Sequence, residues 1–167
     1  YSSAASDVYK RQGLPYVKIN DHPRFPYRGL HLDVSRHFFD KEEVKKLMNV
    51  MSYYKLNTLH LHLTDAGGWR LQIDKYLKLT QEGAFRTQSD WREWWDNGKD
   101  RQYLKEGTEG AYGGYYTKDD IRDMLAYAAE KHITIIPEIE FPAHSDEVFV
   151  AYPELCCCLL YTSPSPR

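Results

Sequence analysis

Cysteine is nearly missing from this chain of 167 residues: Cys156, Cys157 and Cys158 stand side by side and the residue occurs nowhere else. Adjacent positions support neither a disulfide framework nor the spaced ligand pairs of a zinc site, so the redox compartment goes unmarked. Long apolar runs are missing too. None approaches the roughly 20 residues that cross a bilayer, and no signal-peptide pattern opens the chain. An excess of one charge is absent: the formal net charge of -2 gives no electrostatic case for nucleic acid or an anionic membrane as partner. No Gly-x-Gly-x-x-Gly follows the first strand-like stretch, which argues against a dinucleotide. No cofactor is expected.

What remains is ordinary for one globular domain, with 42% apolar and 28% charged residues. Fourteen tyrosines and four tryptophans lift the aromatic share to 14%, enough for stacking surfaces as well as core. The two ends look foreign. Residues 1–13 and 157–167 lack periodicity, and the last six read Thr-Ser-Pro-Ser-Pro-Arg, in the manner of translated adaptor sequence. Residues 14–156 are expected to be the native part, cut at both ends.

The stretch Thr58-Leu59-His60-Leu61-His62-Leu63-Thr64-Asp65 organises the rest. As a strand it puts all three leucines on one face, then stops at a carboxylate beside Ala66-Gly67-Gly68. An α/β enzyme presents its site in this way, so Asp65 is the first candidate for chemistry. Gly29 to Val34 reads as an earlier buried strand. Between the two, Asp40 and Glu43 have capping-box spacing, and Val44, Leu47, Met48 and Met51 form one apolar helical face. After Thr58–Leu63 comes an aromatic, glycine-rich segment from Ala84 to Tyr116, predicted to lack continuous regular structure. Trp91, Trp94 and Trp95 in it have the spacing of a small inserted helix, or of a sugar-stacking wall. Thr117 with Asp120 opens a second helix that His132 ends. Ile133 to Ile136 is a third strand, and Ser145 is placed to cap a third helix through Val148 and Val150 to Leu155.

Strands alternating with helices predict a parallel sheet, as an open doubly wound sheet or as part of a (β/α)8 barrel. A barrel needs about 250 residues, so about three β/α units would be its N-terminal portion. The strand C-termini then bring together Asp33, Arg36, His37, His62, Asp65, Glu138, Glu140 and His144. Such a set suits a polyhydroxylated or anionic substrate, or a metal.

Three motifs in order carry a resemblance: Arg24 to Phe38 (Arg-Phe-Pro-Tyr-Arg-Gly-Leu-His-Leu-Asp-Val-Ser-Arg-His-Phe), Asn57 to Asp65 with Gly68-Trp69-Arg70, and Ile136 to His144. Together they resemble the first barrel strands of glycoside hydrolase family 20, the β-N-acetylhexosaminidases. The resemblance implies a (β/α)8 barrel, N-acetylhexosamine-containing glycans as substrates, and a periplasmic or extracellular location. It implies that Arg36 hydrogen-bonds sugar hydroxyls, and that Asp65 and His144 form the carboxylate–histidine pair supporting the catalytic acid. Glu138 and Glu140 fall on the family's Glu-x-Asp, with Glu140 one methylene longer than usual. The implied chemistry is substrate-assisted and retaining. The acetamido oxygen attacks the anomeric carbon, a glutamate protonates the leaving oxygen, and a neighbouring aspartate orients the acetamido group. That Asp-Glu pair follows a Gly-Gly at the end of strand four, which lies beyond this chain, so the chain alone is expected to be inactive.

Asp146-Glu147 is not that pair: it follows His144-Ser145 and reads as the acidic first turn of a helix. Ala66 stands where an acidic residue is common, and Ala143 where the family has glycine, which a methyl group permits only at negative φ. Two other functions fit parts of the pattern. One is a metal-dependent hydrolase using His60, His62, Glu138 and His144; the bland alternative makes His60 and His62 satisfied core residues. The other is a non-catalytic carbohydrate-binding module built on the aromatic segment. Arg28, before the first strand, is expected to be structural, while Asp33 is a candidate for either a buried ion pair or the site.

Overall fold

The computed structural model describes residues 16, 18–98 and 101–156; the ends expected to be foreign, 1–13 and 157–167, lie outside the described residues. Its centre is a parallel sheet of β1 (Gly29–Asp33), β2 (Thr58–His62) and β6 (Thr134–Glu138), in the order β1-β2-β6. Leu30, Leu59 and Ile135 are in register, as are Asp33, His62 and Glu138. The helices α1 (Lys41–Tyr53) and α4 (Lys118–Glu130) make the two crossovers. The expected third strand starts one residue later and runs through Pro137. Pro137 lacks a donor, which an outer strand tolerates on its unpaired side.

Alternation separates the two faces of the sheet. Leu59, Leu61, Leu63 and Ile133 point into one core with Val44, Met48 and Met51 of α1 and Met124 and Ala128 of α4. The opposite set is His31 and Asp33, His60 and His62, Ile136 and Glu138, so one face is oily and the other polar. Both helices begin with the capping boxes expected from sequence, Asp40 with Glu43 and Thr117 with Asp120, each satisfying two amides that have no helical partner. Lys41 and Lys45 reach from α1 to Asp120 and Asp123 of α4 at 2.8 and 2.6 Å. His132 takes a φ of 56° just past the end of α4, turning the chain into β6.

Between β2 and α4 the aromatic segment is more ordered than its glycines predict. After α2 (Lys78–Gln81), a small antiparallel sheet forms from β3 (Phe85–Arg86), β4 (Tyr103–Leu104) and β5 (Tyr112–Gly113), around α3 (Trp91–Asp96). Gly113 permits the close pairing: a Cβ there would lie 2.2 Å from the Ala84 carbonyl oxygen. The last helix is shorter than expected. α5 (Asp146–Ala151) stops before Pro153, which starts a separate 3₁₀ turn through Leu155.

Candidate active site

Each parallel strand ends in a loop that places charged groups at one rim. Past β1, the Asp33 carboxylate accepts from the backbone amides of Ser35 and Arg36 at 2.9 and 3.0 Å, closing a tight turn. That turn swings Arg36 back, and its guanidinium meets Asp33 Oδ2 and Asp65 Oδ2, each at 2.5 Å. Past β2, Gly67 lets the next loop come close: a Cβ there would lie 2.5 Å from the Ser35 carbonyl oxygen. Past β6, the Glu140 amide donates to Thr64 Oγ1 at 3.0 Å, and the chain turns through a cis Phe141–Pro142 bond to His144.

Asp65 is the hub of this rim. Its Oδ1 accepts from the Ala66 amide at 2.7 Å; its Oδ2 faces His144 Nδ1 at 2.8 Å, His62 Nε2 at 3.2 Å and Arg36. Burial works against the ionised form, but the His62 hydrogen bond and the charges of Arg36 and His144 outweigh it and hold the Asp65 carboxyl below its usual value. His144 has a φ of 51°, while Ala143 is not in the left-handed region. The methyl group at Ala143 is therefore tolerated, and the strain of about 1 kcal/mol falls on His144, where its bond to Asp65 offsets it. His144 Nε2 faces Glu140 Oε2 at 3.5 Å.

The expected residues Arg36, Asp65, Glu140 and His144 thus meet at one rim, whereas Glu138 lies deeper on the polar face. There its Oε2 receives His60 Nε2, His62 Nδ1 and His31 Nε2 at 2.9, 3.0 and 3.3 Å. The metal set of His60, His62, Glu138 and His144 is not assembled as expected. His144 turns to Asp65, and among the described residues the donors that lie within 4.8 Å of one another are those of His31, His62 and Glu138. Arg28 does sit at the other end of the strands, donating to the carbonyls of Lys55 and Phe25. His37 points away, to the Tyr112 hydroxyl at 2.8 Å. Ser145 does not cap α5; its hydroxyl lies on the carbonyls of Glu140 and Ala143 at 3.0 and 2.8 Å and pins the turn that carries His144.

Trp94 is fully buried, while Trp91 and Trp95 stack at 5.3 Å and are partly exposed. Arginines cover their faces: Arg36 and Arg86 lie over Trp91, and Arg101 lies 4.1 Å from the Trp95 ring centre. The cluster is packing for the rim more than an open platform.

Two arginines that sequence patterns leave unassigned build the floor. Arg70 is wholly buried and donates to five backbone carbonyls: Val34 (3.0 Å), Ser35 (2.6 Å), Gly67 (3.0 Å), Ala84 (2.5 Å) and Gly114 (2.9 Å). Burial lowers its pKa to about 10. Arg86, also buried, donates to Gly67, Arg36, Gln88 and Ser89 carbonyls. A guanidinium has five N–H groups fixed in a plane, so one side chain can gather the loops after β1 and β2 and the small sheet. The available signal was Gly68-Trp69-Arg70, an arginine directly after glycine and tryptophan. His31 was also legible, two positions from Asp33 and therefore on its face.

Glu147, in the first turn of α5, is 0% exposed, and among the described residues neither carboxyl oxygen has a hydrogen-bond partner. Burial raises its pKa well above the usual value, and the charges of Asp65 and Asp146 push the same way. A raised carboxyl pKa leaves the fold unpenalised below the unfolded-state value; stability is then lost as pH rises towards the folded-state value. Glu147→Gln is expected to stabilise the protein at pH 8 by about 1–3 kcal/mol, with the gain vanishing near pH 4. Urea melts at the two pH values check this, and an equal effect at both would refute it.

Residues 25–166 match the model for the glycosyl hydrolase family 20 catalytic domain. A beta-hexosaminidase of Porphyromonas gingivalis is 40% identical over 154 residues, which are 92% of this chain and 18% of that protein. One from Vibrio furnissii is 46% identical over 143 residues, covering 84% of this chain and 22% of that protein. The chain thus spans about a fifth of the length of these relatives. Among solved structures, the exo beta-N-acetylglucosaminidase of Vibrio harveyi in complex with N-acetylglucosamine superposes with a TM-score of 0.69 at 42% identity, over 85% of this chain and 21% of that one. A Streptomyces plicatus beta-hexosaminidase mutant with bound product superposes with a TM-score of 0.62 at 35% identity, over 81% of this chain and 23% of that one.

Proposed function

The chain belongs to glycosyl hydrolase family 20, and on that premise we propose that it is part of an enzyme that removes terminal, non-reducing N-acetylhexosamine from glycans with retention of configuration. Its three β/α units are the N-terminal portion of that family's (β/α)8 barrel. One observation carries the proposal: the Asp65 carboxylate, at the C-terminal rim of the sheet, holds Arg36 and His144 at 2.5 and 2.8 Å. Ligands of such barrels bind at that rim.

In this scheme Arg36, 38% exposed at its side chain, offers its remaining N–H groups to hydroxyls of the terminal sugar. An ionised carboxylate only accepts, so Asp65 fixes the proton of His144 on Nδ1. His144 Nε2 is left for a second partner, and there it steadies the carboxyl of the general acid. Glu140, 3.5 Å from the same nitrogen, borders the sugar site. The acetamido oxygen of the substrate serves as nucleophile, and the aspartate that orients it and the acid that protonates the leaving oxygen come from the Asp-Glu pair of strand four. No Gly-Gly-Asp-Glu occurs in these 167 residues. We therefore expect the purified 167-residue chain to release no nitrophenol from 4-nitrophenyl N-acetyl-β-glucosaminide, and the full-length protein that carries it to do so. Hydrolysis by the short chain, or none by the full-length protein, would defeat the proposal.

A further inference from the structure

The polar face of the sheet holds a group that this scheme leaves unused. His60 and His31 touch Glu138 through one ring nitrogen each, and their side chains are 35% and 52% exposed. His62 is different. It is 7% exposed and spans two carboxylates, with Nδ1 3.0 Å from Glu138 Oε2 and Nε2 3.2 Å from Asp65 Oδ2.

Building on the role given above to Asp65 and His144, we propose that His62 is a positioning residue for glycoside cleavage, an imidazolium clamp that sets the Asp65 carboxylate at the angle His144 needs. Two ionised carboxylates accept and cannot donate, so each nitrogen of His62 carries a hydrogen. The hydrogen bond to Asp65 is the largest of the causes that raise the His62 pKa to about 9, against burial. The groups facing the ring are Asp65 beyond its own strand, His60 on that strand, Glu138 from β6, Asp33 and His31 from β1, and His144, whose ring centre is 6.2 Å away.

The need for a clamp follows from how Asp65 is held. Its Oδ2 takes three donors, and Arg36 is the most exposed anchor among the two that are not His144, 38% against 7%. Without His62 the Ala66 amide still holds Oδ1, but Oδ2 can turn with Arg36 and take the His144 ring with it. A sub-ångström to ångström shift in a supporting group is felt in turnover more than in affinity. Glu138 anchors the far end of the clamp, which gives a purpose to a carboxylate that stands off the rim.

The test uses the full-length enzyme. His62→Phe is expected to lower kcat about 10–100-fold with KM changed less than about threefold. His62→Gln, which keeps a donor towards Asp65, recovers most of that loss, and Glu138→Gln gives a smaller loss of the same kind. In a ¹⁵N-histidine NMR spectrum near pH 8, one ring carries hydrogens on both nitrogens, and Asp65→Asn abolishes that signal. Unchanged kcat in His62→Phe, equal losses in the Phe and Gln variants accompanied by a lower melting temperature, a stoichiometric metal ion that departs with His62, or a singly protonated His62 ring would each overturn the proposal. The NMR result decides it even in a protein that misfolds on substitution or that cleaves no N-acetylhexosaminide, the last outcome counting against the proposed function and not against the clamp.

Discussion

Replacing Arg70 with methionine is expected to leave the full-length protein without a cooperative unfolding transition. Methionine fills much of the same volume but donates nothing, so the carbonyls of Val34, Ser35, Ala84 and Gly114 lose the guanidinium that holds them, while Gly67 keeps only its bond from Arg86. Each unsatisfied buried acceptor costs about 1 kcal/mol or more, and the four together cost about 4 kcal/mol or more. Total stability is about 5–15 kcal/mol, so the loss takes a large share of it. Arg70→Lys should fall between, because a single ammonium offers three hydrogens from one point and reaches only part of the set. Soluble yield, near-ultraviolet circular dichroism and a urea melt measure the effect. A methionine variant melting within a few degrees of the parent would show that those carbonyls find other donors.

Asp65→Asn is expected to reduce kcat of the full-length enzyme about 10²–10⁴-fold. The amide keeps the shape of the carboxylate but brings two hydrogens to a place where Arg36, His62 and His144 already donate. One of those contacts must break or invert, and the ring of His144 loses the charge that fixes its tautomer. Removing one partner from a buried ion pair also costs about 3–5 kcal/mol, so part of the deficit will appear as thermal instability. Steady-state kinetics on 4-nitrophenyl N-acetyl-β-glucosaminide at a temperature where both proteins are folded separates the two. A loss below tenfold would remove Asp65 from its assigned place.

Much of this was legible in sequence because it rests on short-range rules. Asp40 with Glu43 and Thr117 with Asp120 are local hydrogen-bond boxes, and each marks its helix to the residue. Leu59, Leu61 and Leu63 alternate with His60 and His62, which gives both the strand and the identity of its oily face. Arg36, Asp65 and His144 follow from those strands, since each stands just past one. Long-range effects were illegible. β3, β4 and β5 are two residues each, too short for any alternation to show. Arg70, Arg86 and Glu147 have the composition of surface residues, and only the assembled fold buries them. Ser145 has the residue type of a helix cap, but the carbonyls of Glu140 and Ala143 compete for its hydroxyl and win.

The floor laid by Arg70 and Arg86 has a consequence for ionic strength. Dissolved ions weaken attractions between charges that water surrounds, as between Lys41 or Lys45 and the aspartates of α4, because counterions gather within about 10 Å of them. They do not reach a buried cation such as Arg70, which is met by peptide dipoles. Brine should therefore loosen the helical flank and leave the rim that holds Asp65 in place.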